Sequence, residues 1–235
     1  AADPNAGKYV PDMKASWRRI LERAKQEPYR VTVESRGEEI ELPLGPFGMQ
    51  WIVRRDLGDT NDLPIFPAMF YQLERGDVSI FKGYVERRYG QYGAGVHGMG
   101  VMTDLASNAT PERIAEIERQ IPTALFGNTM NFPYFELRHV WGNPDLGEEF
   151  RMPVETDVPS LFISGTLDCQ TPPEQAEAVR EKFTDSTHII VENAGHENLL
   201  PIRDVQQRII AFLDGENLAD EKLVYDLKFT EMREE

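Results

Sequence analysis

The 235-residue sequence has little cysteine, little basic charge and no long apolar run. Cys169 is its one cysteine, so neither an intrachain disulfide nor a thiolate-rich metal site can form. Its 25 Lys and Arg residues face 40 Asp and Glu residues, which gives a net charge of -15. Nucleic acid and anionic membranes are therefore not expected as partners. No apolar run approaches the roughly 20 residues that span a bilayer.

The sequence also lacks patterns that would indicate a cofactor. Three of its four histidines, His97, His139 and His188, show no metal-ligand spacing to one another or to carboxylates. Residues 93–98 match G-x-G-x-x-G, but a strand-like run follows where a dinucleotide fingerprint requires a helix, which favours a flexible loop. We therefore expect no cofactor and no metal. The first residues show no signal-peptide pattern, and a cytoplasmic, periplasmic or secreted location stays open for a soluble protein.

The first part of the chain predicts mainly helices. Apolar residues from Met13 onward recur at helical spacing between charged residues, which is typical of an amphipathic surface helix. Alternating residues on both sides of a turn predict a short hairpin over residues 30–44. Further helices are expected at about 47–57, 63–76 and 79–89.

After about residue 97 short apolar runs alternate with helices, as in a parallel βαβ sheet. Strands are predicted at residues 100–103, 159–164 and 187–191, with a weak candidate at 223–225. A final helix near 203–213 carries one apolar stripe of four residues, Val205, Ile209, Ile210 and Leu213.

Two of the helices in this part have clear start signals. Thr110 and Thr171 each precede a proline and a glutamate, so each is expected to cap a helix with its hydroxyl. Glu174 would complete a capping box with Thr171.

An acid and a histidine follow two of the predicted strands. Asp168 comes just after the glycine that ends one strand, and His196 follows a glycine-bearing turn after the next strand. Active-site residues of parallel sheets gather at the carboxyl ends of the strands. A carboxylate that accepts Nδ1–H would orient the imidazole, and Nε2 could then act as base and afterwards as acid. We predict Asp168 and His196 as the catalytic pair.

The segment from Pro159 to His196 resembles the C-terminal third of α/β-hydrolases, whose triad order is nucleophile, acid, histidine. The resemblance is closest to the proline iminopeptidase and tripeptidyl aminopeptidase branch (TAP-like, peptidase S33). It rests on Leu161–Asp168, Thr171-Pro172-Pro173, Gly195-His196 and, upstream, Arg75-Gly76-Asp77.

That branch has a mainly helical cap inserted before the last core strands. The resemblance therefore implies an α/β fold in which residues 1–96 form the cap (lid) region. Residues 97–235 would form the C-terminal part of the hydrolase core, with the N-terminal core strands absent from this chain. An N-terminal segment of the same hydrolase would be the partner that supplies the nucleophile and the oxyanion hole.

The nucleophile is missing from the sequence. No serine lies in G-x-S-x-G, the elbow in which flanking glycines permit a strained turn. Ser164 lies within a predicted strand, which disfavours it as the nucleophile. Ser107 is the better candidate of the two, because it follows the predicted strand at 100–103. Cys169 is next to Asp168. To act as the nucleophile, its thiol would have to turn toward the same imidazole that Asp168 orients, which disfavours this role. We expect no nucleophile in this chain.

The favoured function is a serine hydrolase that cleaves peptides at their N-termini, as the resembled aminopeptidases do. Glu192 and Glu197 could bind the substrate amine there, although solvated turn residues are the simpler interpretation. Hydrolysis of small esters is the enzymatic alternative, because an acid and a base do not define the leaving group. The other alternative is a catalytically silent fragment or binding module.

Overall fold

The computed structural model describes residues 3–35, 37–92, 98–140, 142 and 144–233. The chain divides into two compact units. The helical unit comprises the described residues of Ala1–Arg55, Pro67–Met152 and Glu231–Glu235. The sheet unit comprises Asp56–Phe66 and Pro153–Thr230.

The helical unit contains the predicted hairpin and helices. Strands β1 (Tyr29–Ser35) and β2 (Glu38–Leu44) pair antiparallel. The helices up to the sheet are α1 (Pro4–Tyr9), α2 (Met13–Gln26), α3 (Pro46–Asp56), α4 (Phe66–Arg75), α5 (Ser79–Tyr92), α6 (Gly98–Ser107), α7 (Pro111–Gln120), α8 (Tyr134–Leu137) and α9 (Glu148–Arg151). Short 3-10 turns occupy Gly127–Met130 in this unit and Leu63–Ile65 in the sheet unit. Among the described residues no helix is long and apolar enough to cross a membrane.

Local signals explain where two of these helices begin. The Asp12 carboxylate accepts the Ala15 N–H at 2.9 Å at the start of α2. The Thr110 hydroxyl accepts the Arg113 N–H at the start of α7, which confirms the predicted cap. Each cap satisfies a backbone donor that a helix terminus otherwise leaves unpaired.

Trp17 of α2 lies at the centre of an aromatic cluster and is 2% exposed. Its ring stacks on Phe70 and Phe126, with centroid separations of 5.0 and 5.7 Å. Its indole N–H donates to the Leu125 carbonyl at 3.2 Å, so the polar atom of this buried side chain is paired.

The predicted strand at residues 100–103 is wrong, because this segment lies inside helix α6. Val101 and Leu105 are buried one helical turn apart, and the Thr103 and Ser107 hydroxyls donate to carbonyls four residues earlier. Periodicity alone does not separate a short buried strand from a buried helical turn. Four residues were too few to reveal the helical spacing.

The sheet unit confirms the α/β fold class. Its elements alternate as β3 (Ser160–Gly165), α10 (Pro173–Arg180), β4 (Ser186–Glu192), α11 (Arg203–Leu213) and β5 (Glu221–Val224). The three strands are parallel, in the order β3-β4-β5. The three other predicted strands thus exist, each within about two residues of its predicted position.

The core of the sheet unit consists of side chains from β4, the loops after it and α11: Ile189, Val191, Ala194, Leu199 and Val205. Ile209 packs against this core. Ile210 and Leu213 are 58% and 75% exposed, so the predicted four-residue stripe on α11 contacts this core through only two of its members.

A segment that precedes α4 belongs to the sheet unit, although the sequence predicts a helical cap over residues 1–96. We call Asp56–Phe66 the strap, since it is hydrogen-bonded to the loop after β4 through Thr60 and Glu197. Conversely, helices of the helical unit continue to Arg151. The boundary predicted near residue 96 and the loop predicted from residue 93 fall largely on residues 93–97, outside the described residues.

We predict that Trp17→Ala lowers the free energy of unfolding by about 3–5 kcal/mol, the usual cost of truncating a buried tryptophan. Chemical denaturation followed by circular dichroism measures this change. Phe150→Ala is the matched control, because Phe150 is 58% exposed in the same unit and its loss should change stability by about 0.5 kcal/mol or less. Equal effects of the two variants would contradict the buried position of Trp17.

Candidate active site

Two neighbouring strand ends bring Asp168 and His196 together. Strands β3 and β4 pair in parallel, with Gly165 opposite Val191, so their carboxyl ends lie at the same edge. Asp168 follows β3 by three residues and His196 follows β4 by four. Their side chains meet with His196 Nδ1 2.8 Å from Asp168 Oδ2. The two residues singled out in the sequence are therefore adjacent in space.

The two loops that carry these residues lie unusually close. A Cβ atom on Gly165 would come within 2.2 Å of the Ala194 carbonyl oxygen, so this position needs glycine. The Leu167 N–H donates to the same oxygen at 2.9 Å, and the Thr166 N–H donates to the Val191 carbonyl at 3.0 Å. The glycine at the end of β3 thus allows the acid loop to hydrogen-bond directly with the histidine loop.

The histidine loop, residues 193–198, is bounded by two unusual backbone conformations. Asn193 has φ of +66° and Asn198 has φ of +57°, a left-handed region that asparagine tolerates better than most residues. His196 lies between them at a bend of the chain. Its side chain is 40% exposed.

Asp168 is buried and has four hydrogen-bond donors. Its side chain is 3% exposed. Oδ1 accepts the backbone N–H groups of Gln170 and Thr171, and Oδ2 accepts the Thr171 hydroxyl and the His196 ring. Burial by itself would raise the pKa of Asp168, but these donors, led by the Thr171 N–H, outweigh it and hold the pKa below its usual value. The carboxylate is therefore ionised at neutral pH.

The ionised carboxylate determines which nitrogen of His196 carries the proton. A carboxylate can only accept, so Nδ1 must be the protonated nitrogen in the neutral ring. The other nitrogen, Nε2, is then left with a lone pair. An imidazole oriented in this way can accept a proton from a nearby hydroxyl.

The role of Thr171 differs from the predicted one. Helix α10 begins at Pro173, and Pro172 occupies its N-cap position without a side-chain hydrogen bond, so the predicted threonine cap and capping box are wrong. Instead the Thr171 hydroxyl donates to Asp168 Oδ2 at 2.9 Å and lies 3.0 Å from His196 Nδ1. The hydroxyl carries one proton, which it donates to the carboxylate, so it does not donate to the ring.

A second group of a hydroxyl, a histidine and a carboxylate surrounds the buried ring of His188. His188 Nε2 lies 3.0 Å from the Ser164 hydroxyl, and His188 Nδ1 lies 2.5 Å from Glu177 Oε1. Ser164 and His188 are only 3% and 2% exposed, and Ser164 lies inside strand β3. The His188 contact lowers the pKa of Glu177. Both ring nitrogens of His188 thus have partners, buried Ser164 and half-exposed Glu177, and we interpret this group as structural.

The other residues considered as nucleophiles have different surroundings. The Ser107 hydroxyl donates to the Thr103 carbonyl within α6, a common helical contact for serine. Cys169 is half-buried and forms no disulfide. Glu192 and Glu197, considered as partners of a substrate amine, are both exposed. Within the described ranges no group of three or more His, Cys, Asp or Glu side chains is arranged to hold a metal ion.

A family model matches part of the chain. Residues 135–222 match a model of α/β-hydrolases described as TAP-like protein. The matched segment includes β3, β4, Asp168 and His196, so the predicted resemblance is confirmed there. No curated protein and no solved structure matches the chain significantly. The chain therefore carries a TAP-like α/β-hydrolase segment, which supports a hydrolase family.

We predict that Thr171→Val raises the pKa of Asp168, because the carboxylate loses one of its four donors. A group with a lowered pKa contributes stability above its unfolded pKa of about 3.9, and this contribution disappears as the pH falls through the folded pKa. The variant should therefore lose the ionised form of Asp168 at a higher pH than the wild type. A ¹³C NMR titration of the carboxyl carbon measures the change.

Two variants provide the controls for this titration. Thr171→Ser keeps the hydroxyl and should leave the midpoint near the wild-type value. Thr187→Val removes a hydroxyl that donates to the Leu218 carbonyl, away from Asp168, and should have no effect on the midpoint. An unchanged Asp168 midpoint in Thr171→Val would contradict this assignment of the hydroxyl hydrogen bond.

Proposed function

We propose that this chain supplies the acid and the base of a serine hydrolase whose nucleophile lies on a segment outside these 235 residues. The observation that carries the proposal is the 2.8 Å contact between buried Asp168 and half-exposed His196 at the carboxyl ends of two parallel strands. This is the arrangement in which the acid and base of a triad act. The TAP-like segment supports the same reaction class.

In the proposed reaction, His196 Nε2 accepts the proton of the serine hydroxyl while the serine oxygen attacks the substrate carbonyl. The positive charge that forms on the imidazole is stabilised by ionised Asp168. The same proton then passes to the leaving amine, and an acyl-enzyme remains. Water next gives a proton to Nε2, attacks the acyl carbon and releases the acid, and Nε2 returns that proton to the serine oxygen.

The edge of strand β3 supports a partner segment on that side of the sheet. In the part of the chain that the structure describes, β3 pairs with β4 but with no strand on its other edge. Parallel sheets normally have both faces covered and more strands than three. Exposed Ile210 and Leu213 add apolar surface to the same unit. A further parallel strand beside β3 would end near Asp168, where a nucleophile is needed.

Peptides with a free N-terminus are the proposed substrates. Their ammonium group is attracted by the net charge of -15 and by Glu197, which is exposed beside His196. The resemblance to tripeptidyl aminopeptidases and proline iminopeptidases points to the same class. Ester hydrolysis uses the same acid and base, so the substrate test must include both leaving groups.

The nucleophile is tested with a fluorophosphonate probe, which reacts with activated serines. We expect no labelling of the 235-residue chain alone, and labelling of a serine on the upstream-encoded segment when the two are produced together. His196→Ala should reduce that labelling by at least about 10³-fold, since the base of a triad is indispensable. Asp168→Asn should reduce it by about 10⁴-fold through the wrong tautomer.

His139→Ala is the matched control for the probe experiment, because His139 is exposed in the helical unit and has no proposed role. The probe should label the serine as strongly with His139→Ala as with the wild-type chain. Labelling of the isolated chain at one of its own serines would contradict an external nucleophile. Undiminished labelling of His196→Ala would remove this histidine from the reaction.

The substrate class is tested by comparing aminoacyl arylamides, including proline and tripeptide derivatives, with their N-acetylated forms and with small esters. We expect kcat/KM to fall when the amine is acetylated, because the ammonium group is lost. Glu197→Gln should raise KM for the free amines and leave it unchanged for the acetylated forms. Faster turnover of esters than of every arylamide would favour the esterase alternative.

A further inference from the structure

The backbone on both sides of His196 is hydrogen-bonded to a single side chain of the strap. The Thr60 hydroxyl accepts the Gly195 N–H at 3.0 Å and donates to the Glu197 carbonyl at 2.7 Å. The Thr60 N–H also donates to that carbonyl, at 3.1 Å. Thr60 is 1% exposed, so water has little access to replace these bonds. The hydroxyl uses both its donor and its acceptor capacity.

Other contacts between the strap and the histidine loop leave little free space. The Glu197 N–H donates to the Gly58 carbonyl at 2.9 Å, and the Asn198 amide donates to Asp59 at 2.8 Å. A Cβ on Gly195 would come within 2.2 Å of the Gly58 carbonyl oxygen. A Cβ on Gly58 would lie 3.3 Å from the Cβ of His196. The strap therefore lies directly against the residue that carries the imidazole.

The geometry of the imidazole depends on this backbone. The bond between Nδ1 and Asp168 forms only if the Cα of His196 is held in place, and catalytic groups tolerate displacements of only about 0.5 Å. The β3 side of the histidine loop is held by the Leu167 bond to Ala194. On the other side, Thr60 is the residue whose side chain bonds to both neighbours of His196.

We propose that Thr60 is a positioning residue for His196: its hydroxyl holds the turn that directs Nδ1 toward Asp168. The proposal rests on the proposed role of His196 as the base, but it concerns the geometry of the ring and can be tested without substrate. Thr60 touches neither the ring nitrogens nor the acid in any described contact, so it would act through the loop backbone.

The test compares Thr60→Val, which has the same shape without the hydroxyl, with Thr60→Ser, which keeps the hydroxyl. Long-range ¹H–¹⁵N NMR of the ring nitrogens reports the tautomer of each histidine. In the wild type we expect His196 to show one protonated nitrogen, Nδ1, and one unprotonated nitrogen, Nε2. In Thr60→Val the ¹⁵N shifts of Nδ1 and Nε2 should move toward each other, because the ring then populates both tautomers. In Thr60→Ser both shifts should equal those of the wild type.

Amide hydrogen exchange gives a second measurement. Removing the acceptor should make the Gly195 N–H exchange about tenfold faster in Thr60→Val. Thr187→Val is the matched control, because its lost hydroxyl bond to Leu218 lies in the same unit and away from the loop. Unchanged signals of buried His188 report that the sheet unit remains folded. If valine disturbs the fold, Thr60→Ala, which adds no atom, is measured instead.

Two results would overturn the proposal. One is a Thr60→Val variant in which the ring ¹⁵N shifts of His196 equal those of the wild type. The other is faster exchange at Gly195 with unchanged His196 shifts, which would make Thr60 merely structural. Because neither measurement uses a substrate, a failed hydrolase assay would leave a positive NMR result standing. Equally, labelling by the fluorophosphonate in the presence of unchanged His196 shifts would support the hydrolase and reject the role of Thr60.

Discussion

Three backbone segments approach one another so closely around His196 that two positions admit only glycine. Gly165 faces the Ala194 carbonyl from the acid side, and Gly195 faces the Gly58 carbonyl from the strap side. A Cβ atom at either glycine would collide with a carbonyl oxygen. The backbone of the histidine loop therefore packs directly against the backbone after β3 on one side and that of the strap on the other. The 2.8 Å bond from His196 to Asp168 depends on this spacing. An added methyl group at either glycine would push the loop outward and separate the pair.

The two histidines of the sheet unit show how surroundings change the chemistry of the same side chain. Both rings direct Nδ1 toward a carboxylate and both lie near a hydroxyl. Around His188 the hydroxyl of Ser164 occupies Nε2, and the ring is almost fully buried. Around His196 the hydroxyl of Thr171 lies on the Nδ1 side, and the ring is 40% exposed. The second arrangement leaves Nε2 available for a reacting group, and the first uses it for packing.

The parts of the molecule that could be predicted from the sequence depend on local patterns. Strands β3 and β4 each contain a short apolar run, with a glycine at the end of β3 and another in the turn after β4, and their parallel pairing determines that Asp168 and His196 emerge at the same edge. The start of α7 follows from a threonine before a proline. At residues 100–103 the local pattern was ambiguous, and tertiary packing of Val101 and Leu105 selected a helix. Exposed Ile210 and Leu213 show that apolar periodicity alone does not reveal what covers a helix.

The contacts of the two threonines could not be predicted from local patterns, for a physical reason. A threonine hydroxyl can cap a helix, bond within its own turn or bridge distant chains, and its sequence neighbours do not determine which acceptor lies nearest. Thr171 precedes two prolines as a cap would, yet helix α10 begins one residue later than a threonine cap requires, and the hydroxyl donates to the buried carboxylate of Asp168. Thr60 bonds to residues more than 130 positions away, and no periodicity connects the strap with the histidine loop. Predicting that Asp168 and His196 lie side by side therefore requires only the strand ends, whereas identifying what orients them requires the fold.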